Sequence, residues 1–508
     1  MKNLKIILIF IYFIIYIPNC DAQLVNDLKV NEDTILNNLK IDSKISINNK
    51  GQGILVWNFQ NSLQHVSNIM GQMFDKNFNK IGYNFFINTV TNDTCITPDV
   101  SYGNNNNFAV VWQRNNSYTP NRTQIFFRLF NMIGIPLTND VLINDTLKGF
   151  FGYPTIASDE NNGFIIVFVY PKSVGGTDVF YQRLDSLGNK MGDTVNVSLI
   201  GSFYISSVQS GPKIAVRKDG SFIITWQDIR PPSVPTGDIY MQMFDKDGVP
   251  VGVNTKVNDP DFEPEDLQCA PQIAVDSSGG FTIAFDDTPY STGVDGVKYQ
   301  RFDKNGVKLG NNKSLPGLLY LKGLAGDERG NLVFSLNPYS LNVVHNLRID
   351  YNDNIIGTYY PVSNQYPSSM KIGEGIAMHN GNVYNCWGDT RIAGRNIYAN
   401  VRSYWNPDST VGIVQIGTEV PVEYSLSQNY PNPFNPVTKI NFAIPKSGMV
   451  TIKLYDILGR EVSRLVNEYK AAGTYTLDFN AGNLSSGVYF YRMETNGYND
   501  IKKMMILK

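Results

Sequence analysis

Histidine and cysteine are scarce in this chain of 508 residues. The only histidines, His65, His345 and His379, are scattered along it. A histidine-built metal site and a histidine-dependent nucleophilic triad are therefore disfavoured, and neither a metal nor a cofactor is expected. Outside Cys20 the cysteines are Cys95, Cys269 and Cys386, an odd and widely spaced set that makes no disulfide framework. Cys386 sits in an apolar run and reads as a small core residue. Charge is also sparse, with 17% charged residues and a formal net charge of -2. No basic patch stands out, so nucleic acid is not an expected partner. The patterns Cys-x-x-Cys, His-Glu-x-x-His, Gly-x-Ser-x-Gly and Gly-x-Gly-x-x-Gly are all missing.

Long apolar runs are missing too, except at the N-terminus. Lys2 and Lys5 precede an apolar stretch over residues 6–17, shorter than the ~18 residues a membrane span needs. Pro18 and Asn19 break it, and Cys20-Asp21-Ala22 puts small residues where a signal peptidase reads them. Residues 1–22 are therefore expected to be a signal peptide, cut after Ala22 to leave Gln23 first. Pro18 and Asn19 do not suit lipid attachment at Cys20. No transmembrane span is expected in the mature chain.

What is present is aromatic and turn-rich: 29 Tyr, 28 Phe, 43 Gly and 25 Pro. That composition suits an all-β extracellular protein. The clearest unit covers residues 211–258. A short strand, Pro212 to Val216, leads through Asp219-Gly220 to Phe222-Ile223-Ile224-Thr225-Trp226. A long loop precedes a third strand, Asp238 to Asp245, and Asp247-Gly248 turns into a fourth. The end of the second strand recurs at Trp57, Trp112, Phe168, Trp226, Phe285, Leu336 and Trp387, about every 50–60 residues. Runs such as Phe108 to Trp112 are apolar on both faces, as a strand stacked between neighbours must be. Asp-Gly and Asn-Gly pairs supply the positive φ of tight hairpins. Residues 23–404 are thus expected to form a seven-bladed β-propeller.

Closure follows from a smaller echo. The fourth strands of the first four repeats end in Ile87-Asn88, Ile143-Asn144, Val195-Asn196 and Val257-Asn258, whereas the seventh lacks such a pair. Val30-Asn31 supplies one, so the N-terminal stretch is expected to be the outer strand of the last blade. Cys95 and Cys269 are expected on equivalent loops of the second and fifth repeats, too far apart around a ring to bridge.

Trp226-Gln227-Asp228-Ile229-Arg230 and Trp387-Gly388-Asp389-Thr390-Arg391 resemble the Trp-x-Asp-x-Arg repeats of secreted bacterial propellers, although only these two copies are complete. The resemblance implies no particular activity.

Past Trp405 the pattern changes. A linker over 405–426 precedes Gln428-Asn429-Tyr430-Pro431-Asn432-Pro433-Phe434-Asn435-Pro436. Short alternating strands follow, among them the turn Asp456-Ile457-Leu458-Gly459-Arg460, then Ser486-Gly487-Val488-Tyr489, and a last strand running to Lys508. Alternation over about 80 residues reads as a small Ig-like antiparallel β-sandwich. Residues 427–508 resemble the type A C-terminal sorting domain of type IX secretion, on Tyr430 to Pro436, Gly459, Gly487 and the Lys508 terminus. The resemblance implies passage through the periplasm and outer membrane by the type IX secretion machinery. It also implies removal of the domain by a sortase-like peptidase, with the passenger released or attached to surface lipopolysaccharide.

The sequence favours a non-catalytic module that binds a glycan or a protein. A propeller hydrolase or lyase acting on polysaccharide is the alternative, since carboxylates from different blades could meet unseen. Sialidase-type Asp-box spacing is missing. Asp245-Lys246-Asp247-Gly248 lacks the later ligands of a calcium loop and reads as a hairpin turn. The long loops, between second and third strands and between repeats, gather on one face, the expected ligand surface. Tyr170, Arg230, Asp266, Tyr290 and Arg391 are its candidate residues.

Overall fold

The computed structural model describes residues 23–507 apart from 33–38, 62–65, 116–122, 145–151, 172–175, 199–207, 231–236, 260–266, 289–295, 318, 339–342, 363–370, 391–394, 404–412, 418–420, 436, 447, 471 and 482–483. The signal segment, including Ala22, lies outside the described residues, as do Asp266, Tyr290, Arg391, Pro436 and Lys508. Every regular element described is a strand. The chain divides into two compact units, Gln23–Tyr404 and a C-terminal unit from Trp405.

The first unit is built from four-stranded antiparallel meanders. The first two share one eight-stranded sheet, joined by a parallel bridge between Ser67 and Thr94. Their second strands carry the core. Phe108, Ala109, Val110, Val111 and Trp112 are all fully buried, because each sheet is covered on both faces. The stacking is cyclic. Each successive core is shared by neighbours, and the last meander returns to the first. Tyr384, Cys386, Ile397, Ala399 and Val401 pack with Ile45, Leu55, Trp57 and Phe74. Meanders stacked radially in a closed cycle make a β-propeller.

The cycle is fastened by the N-terminal strand. Gln23–Lys29 pairs antiparallel with Asn396–Ser403, with Leu28 opposite Ala399 and Lys29 opposite Tyr398. Beyond it the Val30 amide donates to Ile397 O at 2.8 Å, and the Ile397 amide donates to Asn31 Oδ1 at 2.8 Å. The same pair of bonds ends three outer strands: the amides of Ile69, Ile125 and Ile239 donate to Oδ1 of Asn88, Asn144 and Asn258. A side-chain carbonyl thus replaces the backbone acceptor where the ladder stops. The third meander departs from the expected pair. Val197 and Ser198 take the role there, with the Val179 amide donating to Ser198 Oγ at 3.2 Å, while Asn196 Nδ2 donates to Asp178.

The hairpin turns share one construction. Asp185, Asp245, Asp303 and Asp350 each accept, through Oδ1, the amides two and four residues on. Gly188, Gly248 and Gly306 supply the positive φ. The carboxylate is used by its own turn, and no group of three or more potential metal ligands occurs among the described residues. For Asp245 we expect Asp245→Ala to cost about 1 kcal/mol of stability, as loss of a comparable cap does, with no change on adding calcium or a chelator. A calcium-dependent melting temperature would contradict this.

Cys95 and Cys269 are on strands, not loops. They lie in the innermost strands Thr94–Tyr102 and Leu267–Val275, just before a register shift. Cys95, Cys269 and Cys386 are all free thiols. Burial raises the Cys95 thiol to about 12, so it is inert at neutral pH.

The C-terminal unit has two four-stranded antiparallel sheets. One orders Ile413–Gly417, Gly473–Asn480, Val437–Ile444 and Ser425–Leu426; the other Glu461–Lys470, Gly448–Tyr455, Gly487–Thr495 and Tyr498–Ile506. The stretch expected as a linker therefore contributes two strands to this unit. The sheets share one core, including Phe434, Ile440, Phe442, Ile452, Leu454, Leu477, Tyr491 and Ile506.

Candidate functional site

Two of the five candidate residues, Tyr170 and Arg230, lie among the described residues. Tyr170 is half-buried and meets Phe180 edge-on, with centroids 6.0 Å apart. Arg230 is buried. Its guanidinium pairs with Asp228 and lies 4.1 Å from the Tyr240 ring centroid. Asp228 also accepts Trp226 Nε1 at 2.9 Å and Gln209 Nε2 at 3.0 Å. Arg230 is thus a locked structural ion pair and offers no rim charge. The equivalent Trp387 Nε1 donates to Asp389 at 3.3 Å. Asp266, Tyr290 and Arg391 fall outside the described residues.

The charged groups that do converge lie on the innermost strands, and the reason is a shared irregularity. Every long inner strand shifts register once: between Ile41 and Lys44, Ile96 and Asp99, Ser210 and Lys213, Cys269 and Gln272, Leu321 and Gly323, and Gly373 and Gly375. Asp42, Thr97 and Ala270 take positive φ at this bulge, as does Gly211. The first residue past it sits opposite the residue preceding the tryptophan-type position: Lys44 opposite Val56, Asp99 opposite Val111, Lys213 opposite Thr225 and Gln272 opposite Ala284. Thr155, opposite Val167, holds the same place. Lys44, Asp99, Thr155, Lys213, Gln272, Gly323 and Gly375 therefore form one level around the axis.

Strand alternation fixes their direction. The next residues on, such as Ile45, Ile156 and Leu324, join the cores between meanders. The level itself faces the axis, as do the next residues of that face, Ser46, Ser101, Ala157, Ala215, Ala274, Ala325 and Ala377, all small. Inner strands approach closely there: the Tyr102 amide donates to Ser46 Oγ and the Ser158 amide to Ser101 Oγ. The two glycines leave no room for side chains. A Cβ on Gly323 would meet Ile376 at 2.7 Å, and one on Gly375 would meet Cys386 Sγ at 2.7 Å.

Lys213 lies within electrostatic reach of charges on two other meanders. The Lys213 ammonium is disfavoured by Lys44 and favoured by Asp99, which come from the first and second meanders while Lys213 is on the fourth. Burial is the largest effect and lowers Lys213 to about 8. The residue is half-buried. Among the described residues no hydrogen bond or ion pair holds its ammonium. Asp99 accepts three hydrogen bonds: Oδ2 accepts Thr155 Oγ1 at 2.7 Å and the Ile156 amide at 3.0 Å, and Oδ1 accepts the Val100 amide at 3.0 Å. Nearby, burial raises the Asp42 carboxyl, opposed by Lys44 and Arg395. The level thus brings Lys44, Asp99 and Lys213 together from three meanders.

A recess of about 450 Å³ on the short-turn face lies between Asp276–Gly280 and Phe302–Asn305. Asp276 and Asp303 spend their carboxylates on their own turns, so it gathers no free chemistry.

In the C-terminal unit, Asn432 and Phe434 are stitched to the last strand. The Phe434 amide donates to Met505 O at 3.1 Å and the Leu507 amide to Phe434 O at 3.0 Å. Asn432 Oδ1 accepts the Met505 amide at 2.8 Å and its Nδ2 donates to Lys503 O at 3.2 Å. Phe434 is buried against Phe479 and Tyr430 is exposed. Gly459 has φ 75 in the turn where Asp456 accepts the Leu458 and Arg460 amides.

Residues 428–507 match the secretion system C-terminal sorting domain. That domain directs export by type IX secretion to the cell surface or extracellular space. No curated protein matches the chain. Among solved structures, the α-L-arabinanase of Penicillium chrysogenum complexed with arabinobiose is 12% identical, over 60% of this chain and 92% of its own, with a TM-score of 0.42. A Dyadobacter fermentans protein of unknown function is 9% identical over 76% of this chain and 100% of its own, at 0.47. The β-propeller domain of the trilobed protease of Pyrococcus furiosus is 11% identical over 72% and 94%, at 0.43.

Proposed function

We infer that this exported protein carries a seven-bladed β-propeller that binds a glycan or protein ligand without transforming it, followed by an Ig-like sandwich that the type IX machinery reads. A sortase-like peptidase then removes that sandwich. The observation that carries the binding reading is the axial level of Lys44, Asp99 and Lys213. It gathers charged side chains of three meanders on the innermost strands, where Asp99 already accepts three hydrogen bonds. Retaining and inverting hydrolysis both call for a pair of working carboxyl groups.

One observation favours the alternative, a polysaccharide lyase or hydrolase. A lysine lowered to about 8 is near the range of a general base. A polysaccharide panel, scored for both binding and product release, separates the two. Binding without new chain ends supports the module; turnover that is lost in Lys213→Met supports the enzyme.

The mature surface form is expected to begin at Gln23 and to lack most of residues 427–508. N-terminal sequencing and intact mass of exported protein check both ends. A surface form that retains Met504 and Met505 would contradict processing by a sortase-like peptidase.

A further inference from the structure

We propose that Asn380 is a self-modification site: its side-chain amide is lost as ammonia to attack by the Gly381 backbone nitrogen, which leaves a carboxylate and an altered backbone at the seam of the ring. The chemistry needs an asparagine whose neighbour brings an unhindered nitrogen. Glycine does so because it has no side chain, and four Asn-Gly pairs occur: Asn162-Gly163, Asn305-Gly306, Asn380-Gly381 and Asn496-Gly497.

The step is a ring closure followed by hydrolysis. The glycine nitrogen forms a bond to the asparagine Cγ and gives up its proton. The Cγ–Nδ2 bond breaks, Nδ2 leaves as ammonia, and a five-membered cyclic imide remains. Water then opens the imide at either carbonyl. One opening gives aspartate. The other gives isoaspartate, in which the backbone runs through the former side chain. Water is the one co-reactant, and nothing is oxidised or reduced.

The fold separates the four pairs by what already holds the two reacting groups. The Gly163 amide donates to Asp159 Oδ1 at 2.7 Å, and Asn162 Oδ1 accepts the Asn105 amide at 2.6 Å. The Gly306 amide donates to Asp303 O at 3.1 Å inside its capped turn. A nitrogen fixed in this way must break its hydrogen bond before it attacks. The other two pairs form two-residue hairpin turns with both φ angles positive, 48 and 73 at Asn380-Gly381, 42 and 82 at Asn496-Gly497. Such a turn is closed by its flanking residues, His379 with Asn382 and Thr495 with Tyr498, so neither Gly381 nor Gly497 has a described hydrogen bond from its amide. The asparagine side chains then divide these two. Asn496 Nδ2 donates to Tyr424 OH at 3.2 Å and reaches Lys446 O at 3.5 Å, which ties it to other parts of the sandwich. Asn380 is exposed, and among the described residues its Nδ2 meets only the adjacent His379 ring, 2.9 Å from Nε2. That contact is with the atom that departs, and it leaves Cγ open.

Its position gives the change a consequence. The turn joins Lys371–His379 to Asn382–Asp389, the two innermost strands of the last meander. This hairpin lies against the first meander: a Cβ on Gly51 would stand 3.8 Å from His379 Cδ2. Just behind the turn Ala377 and Tyr384, opposite each other, pack into the core that joins the two meanders. Isoaspartate lengthens the backbone path, so a two-residue turn no longer matches its strands. The pairing then frays from His379 and Asn382 towards that core. The chain thus carries a clock where the ring closes.

The test is peptide mapping by mass spectrometry of the purified full chain, stored at neutral pH and sampled over weeks, with isoaspartate told from aspartate by fragmentation. The expected result is conversion at Asn380 tenfold or more faster than at Asn162 and Asn305, and faster than at Asn496. In a urea-unfolded sample the four convert at similar rates, because the ranking comes from the fold. Asn380→Gly keeps the positive φ, removes the amide and leaves the other three rates unchanged. After equal storage the native chain melts lower than when fresh, and Asn380→Gly does not. Conversion of Asn380 no faster than that of Asn305 overturns the site. A ranking that persists in urea overturns the structural argument for it. Full conversion with an unchanged melting curve overturns the effect on the seam.

Discussion

Deleting residues 23–31 lowers the melting temperature of the Gln23–Tyr404 unit by on the order of 10 °C. The deletion removes Val30, fully buried in the core that joins the first and last meanders. Burying a valine contributes about 1.5–3 kcal/mol. It also removes the pairing with Asn396–Ser403, the bond from Val30 N to Ile397 O and both bonds of Asn31, to Ile397 N and Asn396 Oδ1. Each such bond contributes about 0.5–1.5 kcal/mol net. The total, roughly 5 kcal/mol, corresponds to about 2–4 °C per kcal/mol in a large domain. The exposed edge of Asn396–Ser403 then invites pairing with a second chain, so aggregation should rise as well. The double substitution Val30→Ala/Asn31→Ala should reproduce about half of the shift. Thermal unfolding followed by near-UV circular dichroism checks this. An unchanged midpoint would mean that the ring is held without its N-terminal strand.

The second large effect is on export. Phe434→Ala removes a ring that is buried between Phe479 and the rest of the sandwich core. A phenylalanine truncated to alanine in a core costs about 3–5 kcal/mol. That is comparable to the whole stability expected of a unit this small, about 5 kcal/mol. The sandwich should unfold and the chain should accumulate in the periplasm, with the surface fraction reduced by tenfold or more. Tyr430→Ala is the contrast. Its side chain is exposed, so the sandwich stays folded, and any loss of export then reports contact with the machinery rather than stability. Immunodetection on intact cells measures both. Normal export of Phe434→Ala would contradict a requirement for the folded sandwich.

Much of the scaffold was legible because its signals are local. Runs such as Phe108 to Trp112 are apolar on both faces only if both faces are covered, and the Asp-x-x-Gly turns carry their own hydrogen-bond acceptor. The Val30-Asn31 echo works because asparagine at the ladder end makes one particular bond, seen again at Asn88, Asn144 and Asn258. The same reasoning slipped at Asn196. The outer strand there shifts register just as the one ending at Asn258 does, and the ladder end falls on Val197-Ser198, two residues past the Val195-Asn196 pair that mimics it in sequence. Arg230 was legible as a motif, but sequence does not reveal that Asp228 and Tyr240 enclose it.

The axial ring was missed for a physical reason. Lys44, Asp99, Thr155, Lys213 and Gln272 share a place but not a chemistry, so comparing repeats by residue type averages them away. The bulge just before them also breaks the alternation that would have assigned their direction. A usable signal existed. Taking the cross-strand partner of the residue before the tryptophan-type position gathers these residues into one column, in which two lysines and an aspartate stand out.

The central claim is that the C-terminal sandwich sends a folded propeller out of the cell, and export of the truncated chain tests it most directly. Cells expressing the full chain and cells expressing a chain that ends at Tyr404 are fractionated into periplasm, surface and medium, and the propeller is detected in each. The account predicts propeller at the surface or in the medium from the full chain, and propeller confined to the periplasm, folded and protease-resistant, from the truncated one. Equal amounts of the two outside the cell would contradict it.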